Sequence, residues 1–270
     1  MTETLDRIQS WPVDNAAGAL LTPASINTSG DTSRVFELAS VTKLLAAYGF
    51  LVAIEEGVFE LDSPAGPAGA TVRHLLAHAS GVGFSNPEPE RPVGERRLYS
   101  SAGFDILADY VATEAGMSFA DYLSEAVFQP LGMESARLLG SAGHGAQASV
   151  ADLVKFAAEV LDPRLISPET LGEATTVQFP DLAGIVPGYG RFNPCSWGLG
   201  FEIKGEKNPH WTGSHQPPAT VGHFGQSGTF LWLDLAASCA GIVLTDRAFG
   251  EWAKPRWGDF NDDLWASATR

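Results

Sequence analysis

Ser40 and Lys43 are the residues whose types and spacing point most directly to chemistry. They begin an apolar stretch, residues 38–54, in which Lys43 is the one charged residue. Alanine and leucine favour a helix here, and helical side chains three apart share a face. Apolar residues around the circumference predict that the helix is buried. Because burial favours a neutral amine, and a neutral amine can accept a hydroxyl proton, Ser40 is a candidate nucleophile with Lys43 as its proton acceptor.

Other interpretations of these and neighbouring residues stay open. A Ser-x-x-Lys pair also arises by chance, and most such pairs are exposed helix positions. His74 and His78 have the i, i+4 spacing of zinc ligands but lack the glutamate of His-Glu-x-x-His, so we favour packing roles and expect no metal. In the stretch 225–228, Gly-Gln-Ser-Gly, the second glycine comes one residue early for the Gly-x-Ser-x-Gly of α/β-hydrolases.

Composition limits the classes of partner. The chain has 270 residues, which is enough for a full core, and a formal net charge of −15. Because nucleic acids and anionic membranes bind basic surfaces, we expect neither as a partner. The two cysteines, Cys195 and Cys239, are too few for a disulfide framework.

The N-terminal stretch bears on localisation. Residues 1–7 lack the basic start and apolar run of a signal peptide, and no later stretch reaches transmembrane length. We therefore expect a cytoplasmic protein. Nothing in the sequence indicates an oligomeric state.

The order of strand-like and helix-like segments predicts the fold. Strand-like segments are residues 16–21, 34–36, 197–203, 229–233 and 239–245; helix-like segments are residues 4–10, 38–54, 71–78, 102–114, 119–128, 150–161, one beginning near 167, and 261–268. A polar turn is predicted at 28–32. Strands, then helices, then strands, without βαβ alternation, predict an α+β fold in which both chain ends form one antiparallel sheet. We treat residues 1–270 as a single unit, with an α/β part (1–63 plus 180–270) and an inserted helical part (64–179).

Three short motifs, in order, carry a family resemblance: Ser40-Val41-Thr42-Lys43, Tyr99-Ser100-Ser101 and His223-Phe224-Gly225. Together they resemble the serine β-lactamase and penicillin-binding-protein family, in particular its class C, D,D-peptidase and esterase branch, which has Ser-x-x-Lys, Tyr-x-Asn and Lys/His-Thr-Gly. Three further stretches resemble family sequences: residues 73–81 its "LLTHTSG", residues 119–133 its "I-x-x-P-L-G-M" helix and residues 148–153 its "ST-x-x-D-L". The resemblance covers nearly the whole chain and implies a β-lactamase/transpeptidase-like fold.

The resemblance implies roles for individual residues. Ser40 would be the acylated nucleophile, Lys43 its proton partner and Tyr99 a general base or relay. A phenol beside ammonium groups is expected to have a lowered pKa. The backbone N–H groups of Ser40 and Gln226 would form the oxyanion hole. His223 would lie on the strand that lines the cleft, and Gly225 would let the backbone approach the substrate. No cofactor is implied.

The sequence also departs from the family pattern at substrate-binding positions. Ser101 replaces the asparagine that contacts the substrate amide, and Phe224 replaces the threonine of the third motif. His223 stands where β-lactamases carry lysine. These changes weaken recognition of a β-lactam carboxylate and amide.

The interpretation is therefore a serine hydrolase that forms an acyl-enzyme on Ser40 and acts on a small-molecule ester or amide. A true β-lactamase or D,D-peptidase is the alternative within the family. The alternative of another class is a non-catalytic binding module that retains the fold. Whether Lys43 or Tyr99 is the principal base stays open.

Overall fold

A six-stranded antiparallel sheet forms the centre of the fold. The structure is a computed structural model, and it describes residues 2–269. In spatial order the strands are β2 (Ile26–Ser29), β1 (Ala16–Leu21), β11 (Cys239–Thr245), β10 (Thr229–Asp234), β9 (Val221–Gly225) and β8 (Glu202–Ile203). β1 pairs with β11, with Ala16 opposite Thr245. The first and the last of these strands along the chain therefore lie side by side. This confirms the predicted antiparallel sheet built from both ends of the chain.

The sheet separates two hydrophobic cores. Successive side chains of a strand point to opposite faces. In β11, Ile242 and Leu244 therefore join one core while Val243 joins the other. Both faces are covered, which explains why β10 and β11 are apolar at nearly every position rather than alternating with polar residues.

Helices cover the two faces unequally. One face carries α1 (Thr2–Asp6), a 3₁₀ turn (Arg7–Ser10) and α8 (Lys254–Ala268). The remaining helices belong to the larger core: α2 (Thr42–Glu55), α3 (Val72–Leu76), α4 (Ala102–Ala115), α5 (Phe119–Leu123), α6 (Val150–Leu161) and α7 (Pro168–Ala174). No helix among residues 2–269 is long and apolar enough to cross a membrane.

Helix α2 is the central element of the larger core. Residues 43–53 are all buried, as the all-round apolar sequence predicts. Gly49 packs directly against α5, because a Cβ there would lie 2.7 Å from Leu123 Cδ1. The helix ends at Glu55, and Gly57 follows in the left-handed conformation with φ 78°.

Two smaller sheets flank the main one. β3 (Val35–Glu37) pairs with β5 (Ala146–Ser149), which pairs with β4 (Arg137–Leu138). β6 (Gly184–Val186) and β7 (Gly190–Phe192) form a hairpin. β3 leads into a 3₁₀ turn, Ala39–Val41, and then into α2, so the start of α2 is held between the small sheet and the main sheet.

Several predicted boundaries are wrong. The polar stretch 28–32 is not all turn, because Thr28 and Ser29 belong to β2 and pair with β1. The alternating segment 197–203 forms a strand only at its end: the N–H groups of Leu199 and Gly200 donate to the carbonyls of the last residues of α7 and α3 instead of to a neighbouring strand. The segment 119–128 is helical but continues after α5 as a π-helical turn, Ser124–Phe128. The closing helix begins at Lys254, seven residues earlier than predicted.

Candidate active site

Ser40 lies half-buried in the 3₁₀ turn that precedes α2. The residue before it, Ala39, has φ 45°, a left-handed conformation that is unfavourable for alanine. Such strain persists only where surrounding contacts enforce it. Here the Leu38 N–H donates to Ala146 O at 3.0 Å, and the Leu38 carbonyl accepts from Thr229 Oγ1 at 2.9 Å. The small sheet and the main sheet therefore fix the backbone that presents the Ser40 hydroxyl.

Gly225 has a packing role at this point. A Cβ on Gly225 would lie 2.3 Å from the Leu38 carbonyl oxygen. The structure adds a reason for glycine at this position: the backbone of the turn before Ser40 approaches Gly225 closely. Close approach of the substrate at Gly225 stays a prediction.

Lys43 is completely buried on the first turn of α2. Its Nζ donates to Ser101 Oγ at 3.0 Å and to the Gly143 carbonyl at 2.7 Å. Among residues 2–269, no hydrogen bond joins Lys43 Nζ to Ser40 Oγ, and no carboxylate forms an ion pair with it. Burial lowers the pKa of the Lys43 amine to about 7, although the negative charge of Asp105 opposes part of that shift.

Tyr99 lies next to the nucleophile, and both residues line one cavity. Its ring lies under Lys43, with Nζ 4.5 Å from the ring centroid. Burial raises the pKa of the Tyr99 phenol, and the nearby Ser40 side chain opposes part of that rise. The expected lowering of this pKa is therefore wrong, because the loss of hydration outweighs the opposing contribution of Ser40 and the negative charge of Glu202 adds to it.

His223 lies on β9, and its ring contacts the Tyr99 hydroxyl. Its Nδ1 is 2.6 Å from the Phe224 carbonyl, which can only accept, so the proton is assigned to Nδ1. Nε2 then has a free lone pair and accepts from Tyr99 Oη at 3.2 Å. Burial, with a smaller contribution from Lys43, lowers the pKa of His223 to about 4. His223 is thus a neutral hydrogen-bond acceptor and not the partly charged group that the sequence predicts.

Two cavities meet at Ser40. The first, which we call the closed cavity, has a volume of about 130 Å³ and is lined mainly by Tyr99, Val186, Trp197, Glu202, His223 and Phe224. The second, which we call the open cleft, has a volume of about 440 Å³ and is lined mainly by Glu37, Leu139, Gly140, His144, Ala146 and Gln147. Ser40, Phe84 and Gln226 line both.

The remaining predicted residues fall at different distances from this junction. Gln226 follows β9, is exposed and lines both cavities; its side chain donates to the Phe249 carbonyl at 3.0 Å. Phe224 lines the closed cavity. Ser101 is 3% exposed, and its hydroxyl faces Lys43 rather than either cavity. His74 and His78 are engaged separately: His74 bonds to Thr71, and His78 Nδ1 accepts from the Ser100 N–H.

Comparison with known proteins shows the family and the fold of the chain. The profile of the β-lactamase family matches residues 27–263. The chain belongs to the β-lactamase family. The crystal structure of a β-lactamase from Mycobacterium bovis is similar over 99% of this chain and 100% of that one, with 50% sequence identity and a TM-score of 0.97. A class C β-lactamase from Rhodobacter sphaeroides, 16% identical, shares the fold over 99% of both chains with a TM-score of 0.73.

A more distant relative matches only in part. Penicillin-binding protein 4* of Bacillus subtilis is 29% identical over 140 residues, which is 40% of this chain and 31% of that protein. The match thus spans less than a third of that relative's length. Together the comparisons confirm the predicted family and its α+β fold, and they give this β-lactamase-family protein a hydrolase fold.

Two features of the site were missed from the sequence. The Gly143 carbonyl, which accepts from Lys43, belongs to a loop with no motif of its own. Glu202 is fully buried and lies close to His223. Its carboxylate accepts from Lys207 Nζ at 3.2 Å, His210 Nε2 at 3.0 Å and Trp211 Nε1 at 2.8 Å. In the sequence Glu202 alternates with apolar residues, which indicates an exposed strand position, so no local signal could have placed it in the site.

Proposed function

We propose that this β-lactamase-family protein is a serine hydrolase that forms an acyl-enzyme on Ser40 and cleaves small-molecule esters or amides. The observation that carries the proposal is a cluster of three groups beside the junction of the two cavities. They are the Ser40 hydroxyl at the junction, the Tyr99 phenol, which lines the closed cavity with it, and the buried Lys43 amine, which packs on the Tyr99 ring and has a pKa of about 7. A buried lysine without a carboxylate partner costs folding free energy, which is a reason to assign it a catalytic role.

The hydrogen-bond directions supply a route for the serine proton. Because His223 Nε2 accepts the Tyr99 hydroxyl hydrogen, a lone pair of Tyr99 Oη is free to accept the hydrogen of Ser40 Oγ. Lys43 is the strongest base of this group, and burial brings the pKa of its amine down to about 7. On attack, Ser40 Oγ gives its proton to Tyr99 Oη while the neutral Lys43 amine takes the proton that Tyr99 gives up. In the resting structure Lys43 Nζ contacts the Tyr99 ring, Ser101 and Gly143, so this transfer requires Nζ to turn toward the Tyr99 hydroxyl.

Attack of Ser40 Oγ on the substrate carbonyl forms a tetrahedral oxyanion. The backbone N–H groups of Ser40 and Gln226 are the donors we assign to it, since both residues line the junction of the cavities. Removal of one such donor typically costs about 3–4 kcal/mol in the barrier. When the intermediate collapses, the bond to the leaving oxygen or nitrogen breaks and Tyr99 returns the proton to it. Water then attacks the acyl-enzyme by the same path and releases the acid.

The site favours esters over β-lactams. A β-lactam carboxylate is best held by a cation with a neighbouring hydroxyl. Here His223 is neutral, Phe224 offers no hydroxyl, and the Ser101 hydroxyl is used by Lys43. Each missing charge-assisted bond is worth about 1.5–3 kcal/mol, which is about 10- to 100-fold in rate if the bond forms in the transition state. An activated ester needs only the nucleophile, its proton acceptor and the oxyanion donors.

β-Lactam hydrolysis is the second candidate, and one observation favours it. The Mycobacterium bovis protein that is 50% identical over the whole chain is described as a β-lactamase. Identity of that level over the full length supports similar chemistry, whatever the preferred leaving group.

Kinetics on the two substrate types separate the candidates. We expect kcat/KM for p-nitrophenyl butyrate to exceed that for nitrocefin, with both activities lost in Ser40→Ala. Labelling of Ser40 by a fluorophosphonate or a penicillin, read by intact-protein mass, tests the acyl-enzyme directly. A Ser40-dependent preference for nitrocefin would establish the β-lactamase instead, and no labelling by any probe would favour a binding module.

A further inference from the structure

The two cavities differ in their relation to the proton donor. Tyr99, which returns the proton to the leaving group, lines the closed cavity and is absent from the lining of the open cleft. A general acid must lie within hydrogen-bond reach of the atom that it protonates. The alcohol of an ester substrate therefore belongs on the side of the closed cavity, and the acyl group on the side of the open cleft.

The cavities also differ in size and walls. The closed cavity, at about 130 Å³, has less than a third of the open cleft's 440 Å³. Its walls are the rings of Tyr99, Trp197 and Phe224 together with Val186 of β6. The open cleft is bordered by Leu139, which is 69% exposed, a large value for an apolar side chain, while Phe84, 56% exposed, lies between the two cavities. Such an exposed apolar border indicates a surface that an apolar ligand covers.

The closed cavity and the open cleft also differ in the charged residues that line them. Glu202 is the charged residue in the wall of the closed cavity, and its carboxylate is fixed by Lys207, His210 and Trp211. No lysine or arginine lines either cavity among the residues that the structure describes. In the open cleft the acidic residue, Glu37, is exposed, so solvent screens it. An anionic group is thus disfavoured most strongly on the closed side.

We propose that the closed cavity selects a small, uncharged alkyl or aryl alcohol as the leaving group, while the open cleft accepts a larger apolar acyl group. The substrate class is thus esters of small neutral alcohols with bulkier apolar acids. This inference rests on the proposed hydrolase function. It adds to that function a division of specificity between the two sides of the scissile bond.

Two pairs of isomeric esters test the proposal on the unmodified protein. Ethyl cyclohexylacetate and cyclohexylmethyl propanoate carry the same bulky group on the acyl or the alcohol side. Monoethyl malonate carries a carboxylate on the acyl side, and its isomer propanoyloxyacetate carries it on the alcohol side. Hydrolysis is followed in a pH-stat, and each kcat/KM is divided by the rate of alkaline hydrolysis of the same ester.

We expect the bulky group to be tolerated on the acyl side and penalised about 10-fold or more on the alcohol side. The carboxylate should cost about 30-fold more on the alcohol side, because it would lose hydration in a small cavity whose described walls contain no lysine or arginine to pair with it. Equal or reversed ratios in either pair would refute the assignment of the two cavities.

Variants on each side provide matched controls. Val186→Ala enlarges the closed cavity and should raise the relative kcat/KM of cyclohexylmethyl propanoate. Leu139→Ala changes the border of the open cleft and should alter only the dependence on the acyl group. If Val186→Ala instead changes the acyl preference, the assignment is wrong. Thermal unfolding of both variants shows whether they remain folded, and the isomer pairs decide the question in any case.

The failure of the inference is distinguishable from the failure of the proposed function. If Ser40→Ala hydrolyses these esters as fast as the unmodified protein, or if neither protein hydrolyses any ester, the hydrolase proposal is refuted. If hydrolysis depends on Ser40 but the preference is reversed, only the division of specificity is refuted.

Discussion

Two completely buried lysines, Lys43 and Lys207, have opposite surroundings. Lys207 Nζ lies 3.2 Å from Glu202 Oε1 and donates to the Ser196 and Ile203 carbonyls. Within residues 2–269, Lys43 Nζ has a carbonyl and a hydroxyl but no carboxylate as partners. Lys207 thus has a counterion in contact, whereas Lys43 loses hydration without one from this part of the chain.

The difference shows how one fold gives the same side chain a structural or a chemical role. An ion pair with additional hydrogen bonds stabilises the charged form of a buried amine. Without the pair, burial lowers the pKa of Lys43 to about 7, which is the range in which an amine can both accept and return a proton. Glu202 is correspondingly held ionised, since Lys207 and His210 lower the pKa of its carboxyl.

The largest expected effect is on activity. Lys43→Ala should lower kcat/KM for p-nitrophenyl butyrate by about 10³-fold, or about 4 kcal/mol, because the proton acceptor is lost. Lys207→Met, measured in parallel, should lower it by about 10-fold or less. Comparable losses in the two variants would mean that both lysines serve the chemistry and would remove the distinction between them.

The second effect is on stability, and here replacing Lys207 is more damaging than replacing Lys43. Lys207→Met leaves the buried Glu202 carboxylate without its counterion, which should cost about 3 kcal/mol in the free energy of unfolding. Urea denaturation at pH 7 measures it. The double variant Glu202→Gln/Lys207→Met removes both charges and should recover most of the loss. No recovery would indicate that the packing of Lys207, rather than its charge, is what matters.

Replacing Lys43 should instead stabilise the protein. Below about pH 7 the amine is protonated in both the folded and the unfolded chain, so the folded state bears the full cost of a buried charge. Between about pH 7 and 10.5 the unfolded chain binds the extra proton, so stability rises with pH in the unmodified protein. Lys43→Met should gain about 2 kcal/mol at pH 6, after the loss of the hydrogen bond to Gly143, and its advantage should shrink by pH 9.5. A variant that is less stable than the unmodified protein at pH 6 would contradict this.

The smallest effect is on the pH profile. If the neutral amine of Lys43 is the active form, kcat/KM should be level above pH 7 and fall about tenfold per unit below it. Initial rates with p-nitrophenyl butyrate from pH 5.5 to 9 test this. Lys207→Met should keep the same acid limb, while the residual activity of Lys43→Ala should lack it. An unchanged limb in Lys43→Ala would assign the titration to another group.

Local sequence patterns were sufficient for the main elements. The apolar run that follows Ser40 predicted a buried helix, and α2 is one. The segments 16–21 and 239–245 were predicted as strands with the bounds they have. Patterns failed where backbone hydrogen bonds are made with distant parts of the chain. In the segment 197–203, two N–H groups donate to the last carbonyls of α3 and α7 rather than to a neighbouring strand.

The sequence by itself determined the family, the antiparallel sheet and the candidate roles of Ser40, Lys43 and Tyr99, because these follow from short-range patterns and motif order. Only the tertiary structure decided the state of the groups around them. The charge of a buried side chain depends on which atoms surround it, and those atoms come from distant parts of the chain. His223 is neutral because it is buried on β9, near Lys43, and Lys43 differs from Lys207 because a carboxylate from β8 reaches only Lys207.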